Sequence, residues 1–187
     1  MNECVDGEYQ AFKAKGGKYT RDNFFGKNPE VLKMIEKFSD DEVENLNRLE
    51  HIMKQAGGYV GLLGTLGTKF MLHSETFLPV LRSIKQRGLI YVDSRSTSRS
   101  LGPDLASSIQ LPKAFNNVFV DKEPSQEKIK NKLDELERIA LERRFAVGIA
   151  QPLPITIEIL SQWTKRLKTK QIALAPITAI VDKQSQR

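Results

Sequence analysis

The segment "GLIYVDSRSTSRS" (88–100) decides how this chain is read. Four apolar side chains, Leu89, Ile90, Tyr91 and Val92, stop abruptly at Asp93, Ser94 and Arg95, and a serine-rich run comes next. A short apolar run ending in a carboxylate, a hydroxyl and a guanidinium is the pattern of a buried strand that delivers polar groups to the rim of a sheet. Similar runs lie on both sides of it: "GYVGLLG" (58–64), "NVFVD" (117–121), "FAVGIA" (145–150) and "IALAPI" (172–177). Segments of helical period separate them. Residues 75–87 carry Phe77, Leu78, Leu81 and Ile84, and a short helix is expected around 104–110. Ser125 caps a long helix with Ile129, Leu133, Leu136 and Ala140 inward, and residues 154–168 carry Ile159, Trp163 and Leu167. Near-continuous apolar strands alternating with helices predict a parallel sheet covered by helices. Right-handed crossovers then leave a (β/α) barrel or an open doubly wound sheet. The expectation is α/β, a partial barrel of about five parallel strands with flanking helices.

Upstream of these strands the pattern weakens. Residues 1–28 show no sustained period and read as an irregular N-terminal arm, with one domain over 29–187. Asn28 and Pro29 form a plausible helix start, followed at helical spacing by Val31, Met34, Ile35 and Phe38. Ser39 with Glu42 has the spacing of a capping box, opening a helix with Val43, Leu46, Leu49 and Met53 on its apolar face. Gly57-Gly58 stops it.

Composition narrows the function classes. With 187 residues, 40% hydrophobic and 28% charged, the chain suits one ordinary globular domain. The net charge of +6 permits an anionic partner, but no basic run is interleaved with aromatics, which argues against nucleic acid. Most basic residues sit among acids, as in "QEKIKNKLDELERIALERR" (126–144), where a solvated helix face accounts for them. The lone cysteine, Cys4, excludes an internal disulfide and any cysteine-based zinc cluster. No apolar stretch approaches the roughly 18 residues of a membrane span, and "MNECVDGEYQ" (1–10) lacks the pattern of a secretory signal.

In either architecture the site lies beyond the C-terminal ends of the strands. Those ends supply Thr65, Thr68 and Lys69 from the first strand and Asp93, Ser94 and Arg95 from the second. The later strands supply Asp121 and Lys122, Gln151, and Thr178. Carboxylates, a guanidinium, an amide and hydroxyls around one rim suit a polyhydroxylated substrate, whose donors and acceptors point in many directions. A purely structural role is the competing explanation: Asp93 as an Asx-turn residue, with Arg95 pairing to it or to Asp121. Other chemistries fare worse. "GTLGTK" (64–69) lacks the spacing of a phosphate loop, no GxSxG elbow exists, and only His51 and His73 are present. Those two do not supply the three-ligand group of a zinc hydrolase at the strand ends.

With these residues placed, the chain resembles the divergent polysaccharide deacetylase family of bacteria, relatives of the NodB-type deacetylases, from about Asp41 to Val181. The blocks that carry the likeness are "GGYVGLLGTLGTKFM", "VLRSIKQRGLIYVDSRSTSRS", "NNVFVD", "RRFAVGIAQPLPITIEILSQW" and "IALAPITAI". The resemblance implies a deformed β/α barrel and a place in carbohydrate metabolism, of cell-envelope glycans, in the bacterial envelope or periplasm. It also implies, for an active member, zinc or a similar divalent metal, paired aspartates and two histidines, since a metal must acidify its water and a carboxylate must take the proton.

The chain departs from that pattern. No apolar strand ending in Asp-Asp precedes residue 28, "LGTLG" (63–67) stands where many members have a histidine, Gln151 precedes Pro152 where a late histidine is found, and Asn116-Asn117 replace the arginine before the third-strand block. One expectation is a copy lacking the first strands of its barrel; another is a branch that lost the metal and kept the glycan-binding rim. The reading is therefore a deacetylase-like domain with a degenerate metal site that binds glycan or a partner through Ser94, Arg95, Thr65, Lys69 and Gln151. The alternative is an active hydrolase of C–N bonds other than peptide bonds, removing acetyl groups from amino sugars with Asp93 and Asp121 as catalytic carboxylates. A basic nucleic-acid or surface-binding module is the second alternative. An open sheet edge near "GYVGLLG" predicts self-association into a homodimer.

Overall fold

The computed structural model describes residues 41–55, 57–64 and 70–184. The expected arm over 1–28, the helix over 31–38, and Thr65, Thr68 and Lys69 lie outside the described residues. The fold is α/β with parallel strands and flanking helices, as the alternation of periods predicts, and the described strands do not close into a barrel.

Helix α1 (Glu42–Lys54) begins at Asp41, whose carboxylate accepts from the Val43 and Glu44 amides at 2.8 and 3.2 Å. A carboxylate at this position satisfies orphan donors and complements the positive end of the helix. Leu49 and Met53 are buried as expected, but Val43 is 65% exposed and Asn45 takes the inward position. Strand β1 (Gly61–Gly64) follows, then helix α2 (Ser74–Gln86) and strand β2 (Ile90–Asp93). Helix α2 buries Phe77, Leu81 and Ile84 and ends in a Schellman motif. Leu89 N–H donates to the Ile84 carbonyl and Gly88 N–H to Lys85, with Gly88 at φ +69°. That turn reverses the chain directly into β2.

Helix α3 (Gly102–Ser108) leads to β3 (Lys113–Phe115) and β4 (Val118–Phe119). Strand β3 was not legible as a strand, because Pro112 and Lys113 interrupt the apolar run. Proline is tolerated there because only its carbonyl is used: Tyr91 N–H donates to Pro112 O at 2.9 Å. Helix α4 (Gln126–Arg143), capped by Ser125, strand β5 (Gly148–Ile149) and helix α5 (Pro154–Leu167) complete the regular elements.

All described pairings are parallel. Strands β1, β2 and β3 form one sheet in that order, with Gly64 and Phe115 flanking Asp93 in register. Strands β4 and β5 form a second, with Val118 opposite Gly148. The two sheets share one run of chain: Asn116 N–H donates back to Asp93 O, whereas Asn117 N–H donates to Val147 O. Residues 113–119 thus pair first to one side and then to the other.

Each sheet has its own apolar cluster. Leu49, Met53, Met71, Phe77, Leu81, Ile84, Tyr91, Ala106 and Leu111 pack around the first. Val120, Ile129, Leu133, Ile159, Trp163 and Leu167 pack around the second. Each fully buried Leu, Ile or Phe contributes about 1.5–3 kcal/mol relative to exposure.

The expected last strand is absent. Residues 172–176 make no ladder, Leu174 is 65% exposed, and Thr178 sits in the 3₁₀ turn Ile177–Ala179 rather than at a strand end. An apolar run becomes a strand only where a neighbour accepts its backbone. Farther along, Asp182 and Gln184 cover the second edge of β3: Asp182 N–H donates to Lys113 O, and the Gln184 amide bridges Phe115 N and O at 2.8 Å each. No helix among the described residues is long and apolar enough to cross a membrane.

Candidate functional site

Two clusters of polar side chains stand at the strand ends. The first is built on Asp93, fully buried at the end of β2. Tyr91 lies two residues earlier on the same face of the strand, so its phenol reaches Asp93 Oδ2 at 2.8 Å. Ser100 Oγ donates to the same oxygen at 2.7 Å and accepts from Gly102 N–H at 3.2 Å. Asp93 Oδ1 accepts from Arg95 N–H at 2.6 Å, which is the Asx turn anticipated for this position. Three internal donors therefore engage this carboxylate. Burial, followed by the adjacent Asp93 charge, pushes the Tyr91 phenol well above its ordinary range, so Tyr91 stays a donor.

Ser94 is fully buried, with its Oγ 2.6 Å from Ser96 Oγ, and its amide donates to Gly64 O across to β1. The turn leaves Arg95 at φ +52°, a left-handed backbone unusual outside glycine. Its guanidinium pairs with neither aspartate. It lies over the Phe115 ring, 3.7 Å from the centroid. Burial lowers the Arg95 pKa, Arg143 acts in the same direction, and Asp93 opposes them.

Helix α3 packs so closely on this cluster that only glycine fits at its start. A Cβ on Gly102 would sit 2.4 Å from Asp93 Oδ2 and 2.5 Å from the Tyr91 hydroxyl.

The second cluster surrounds Asp121, buried just beyond β4. Gln151 N–H and Thr156 Oγ donate to its Oδ2 at 2.8 and 2.9 Å, tying β4, β5 and the first turn of α5 together. Its Oδ1 accepts no hydrogen bond among the described residues. The Gln151 side chain is exposed, and Lys122 Nζ lies 4.3 Å over the Phe119 ring. Asp121 stands six residues beyond Phe115, the partner of Asp93, a span of up to about 20 Å in extended chain. Among the described residues no hydrogen bond or ion pair links the two clusters.

A divalent metal of the deacetylase kind needs about three protein donors. Among the described residues no three His, Cys, Asp or Glu side chains gather to hold one. Asp93 has both oxygens engaged, and His73, exposed at the N-cap of α2, and His51, on α1, belong to neither cluster. The described donor set does not fit such an ion.

Tyr91, Ser100, Phe115 and Thr156 are partners that sequence reading missed. Tyr91 had a signal, its i, i+2 spacing from Asp93; Thr156 and Phe115 become neighbours only through strand pairing.

Parallel strands with helices at their faces and polar groups at their C-terminal ends define an α/β domain. The chain belongs to the divergent polysaccharide deacetylase family, whose sequence pattern matches residues 28–181. It is similar to the solved structure of an uncharacterized protein from Agrobacterium tumefaciens C58, with a TM-score of 0.74 and 32% identity over 76% of this chain and 58% of that one. A shorter similarity of another kind is also present. The pyruvate dehydrogenase E1 component of Pseudomonas aeruginosa is 53% identical over 51 residues, 27% of this chain and 6% of that protein. That of Escherichia coli K12 is 47% identical over 55 residues, 29% of this chain and again 6% of the relative. The chain thus spans a small part of those proteins and 58% of the Agrobacterium one.

Proposed function

We propose that this chain is a deacetylase-like domain of carbohydrate metabolism that binds glycan through the strand-end rim without a working metal centre. The observation that supports the reading is the engagement of Asp93: two hydroxyls and an amide occupy its oxygens, so it organises the rim instead of holding an ion or a proton in flight. In this reading Ser94 shapes the turn and Arg95 and Gln151 contact the sugar, with Thr65 and Lys69 assigned to the same rim from sequence. Polysaccharide is the substrate class that family membership favours, and a cell-envelope glycan is the member of that class proposed here. Self-association belongs to the same proposal. Strand β1 ends the sheet order among the described residues, Leu63 on it and Val60 just before it are exposed, and a monomer by sedimentation at micromolar concentration counts against a dimer.

One observation favours the alternative, an active hydrolase of acetylated amino sugars. Asp121 Oδ1 accepts no hydrogen bond among the described residues, as a general base requires. Calorimetry against N-acetylated oligosaccharides, combined with an acetate-release assay, separates the two. Binding without acetate release is the expected result. Turnover abolished by Asp121→Asn supports the hydrolase, and no binding to any glycan sinks both.

A further inference from the structure

Resting on the glycan-binding reading of this rim, we propose that the sugar it takes is acidic, with its carboxylate received by the Arg95 guanidinium. Asp93 is the nearest carboxylate in sequence, yet it bonds the Arg95 main chain, Tyr91 and Ser100. Among the described residues no side chain or carbonyl hydrogen-bonds the Arg95 guanidinium, and no acid forms an ion pair with it. A half-buried arginine ordinarily acquires such a partner, because its charge has lost part of its water.

The guanidinium is also positioned. Its plane is carried at 3.7 Å over Phe115, which occupies one face. The N–H donors lie in the guanidinium plane, so their edge stays available for a ligand. The base of the side chain is held by the Asx turn, with Arg95 at φ +52°, a left-handed backbone unusual outside glycine. The direction of the Arg95 pKa shift agrees: burial lowers it, the Asp93 charge offsets that only in part, and Arg143 adds to the lowering, a balance that a bound anion moves the other way.

Two parallel N–H groups of one planar fork match two coplanar carboxylate oxygens. The same fork can take two oxygens of a phosphate or sulfate, so the proposal commits to the carboxylate and a sulfated sugar is the competitor that tests it. The pairing adds to whatever neutral contacts the rim makes with the ring hydroxyls.

The test compares wild type and Arg95→Lys by calorimetry against three oligosaccharides of equal length: neutral N-acetylated, uronate-containing and sulfated. In parallel, the Arg95 Nε–Hε NMR signal is followed during titration with glucuronate or glucose. Near-ultraviolet circular dichroism checks that the variant keeps its fold. The uronate oligosaccharide is expected to bind roughly ten- to a hundredfold more tightly than the neutral one. Arg95→Lys, which keeps the charge but loses the fork, is expected to remove most of that margin, and glucuronate alone is expected to shift the Arg95 signal. Equal affinity for neutral and uronate sugars overturns the inference while leaving glycan binding intact, and so does a preference for the sulfated one. A signal moved by glucuronate when no oligosaccharide binds sinks the glycan reading and upholds the carboxylate site. An Arg95 signal indifferent to both sugars removes the site.

Discussion

The Asp93 and Asp121 rims are built from the same parts, a carboxylate just past a parallel strand with hydroxyl and amide donors around it, yet they differ in closure. Asp93 is sealed: three donors on two oxygens, Gly102 pressed against it, and no exposure. Asp121 keeps one oxygen without a hydrogen bond among the described residues and is tied by a loop amide and a helix hydroxyl. The sheets beneath differ likewise. Strands β1 and β2 pair over four residues, β4 and β5 over two. A sealed carboxylate holds its loop rigidly and so positions the neighbouring Arg95. An open one has acceptor capacity left for a ligand.

Removing either carboxylate has the largest expected effect. Asp93→Ala leaves the Tyr91 hydroxyl and the Arg95 amide without acceptors and is expected to lower stability by about 3 kcal/mol in urea unfolding, against about 1–2 kcal/mol for Asp121→Ala. Equal losses would show that the two rims are equally closed.

Gly102→Ala drives a methyl into Asp93 and Tyr91 and is expected to cost about 1–3 kcal/mol. Gly148→Ala, which meets the end of the flexible Leu136 side chain at 2.8 Å, is expected to cost less than about 1 kcal/mol.

Within the second half, Glu137 accepts from Trp163 Nε1 at 2.8 Å and pairs with Lys170, clamping α4 to the end of α5. Glu137→Ala leaves that indole donor unpaired, with an expected loss of about 1–2 kcal/mol by thermal unfolding.

The smallest effect is a pH slope. Tyr91 is protonated in the fold at pH values where the unfolded chain's tyrosine, with a pKa of about 10, has ionised. The unfolded state then binds fewer protons, so this contribution is complete below about pH 10 and declines as pH rises further. Tyr91→Phe is expected to flatten the fall in stability above pH 10, measured by urea unfolding at several pH values.

Much of the fold was legible because burial leaves a period. The spacing of Phe77, Leu81 and Ile84 and the Ser125 cap were read directly, and the LIYVD run (89–93) became β2. Other elements failed for identifiable reasons. Lys113 and Pro112 hid β3, whose pairing uses backbone groups that any side chain leaves available. The IALAPI run (172–177) looks like a strand but has no ladder, since composition cannot say whether a neighbouring edge is vacant. Asp93 stands at the end of β2, where the sequence pattern puts it, whereas its engagement by Ser100 and the stacking of Arg95 on Phe115 depend on a loop conformation and a register.

The order of amino acids was enough to set the alternation of apolar strands and amphipathic helices, the polar strand ends and the excess of positive charge, because each is a local pattern of side-chain chemistry. Folding in three dimensions selected which carboxylate is sealed and which keeps an open oxygen, and brought the Arg95 cation to an aromatic ring instead of an acid. Those outcomes depend on which strands pair and in what register, and register brings together residues that are far apart in the chain.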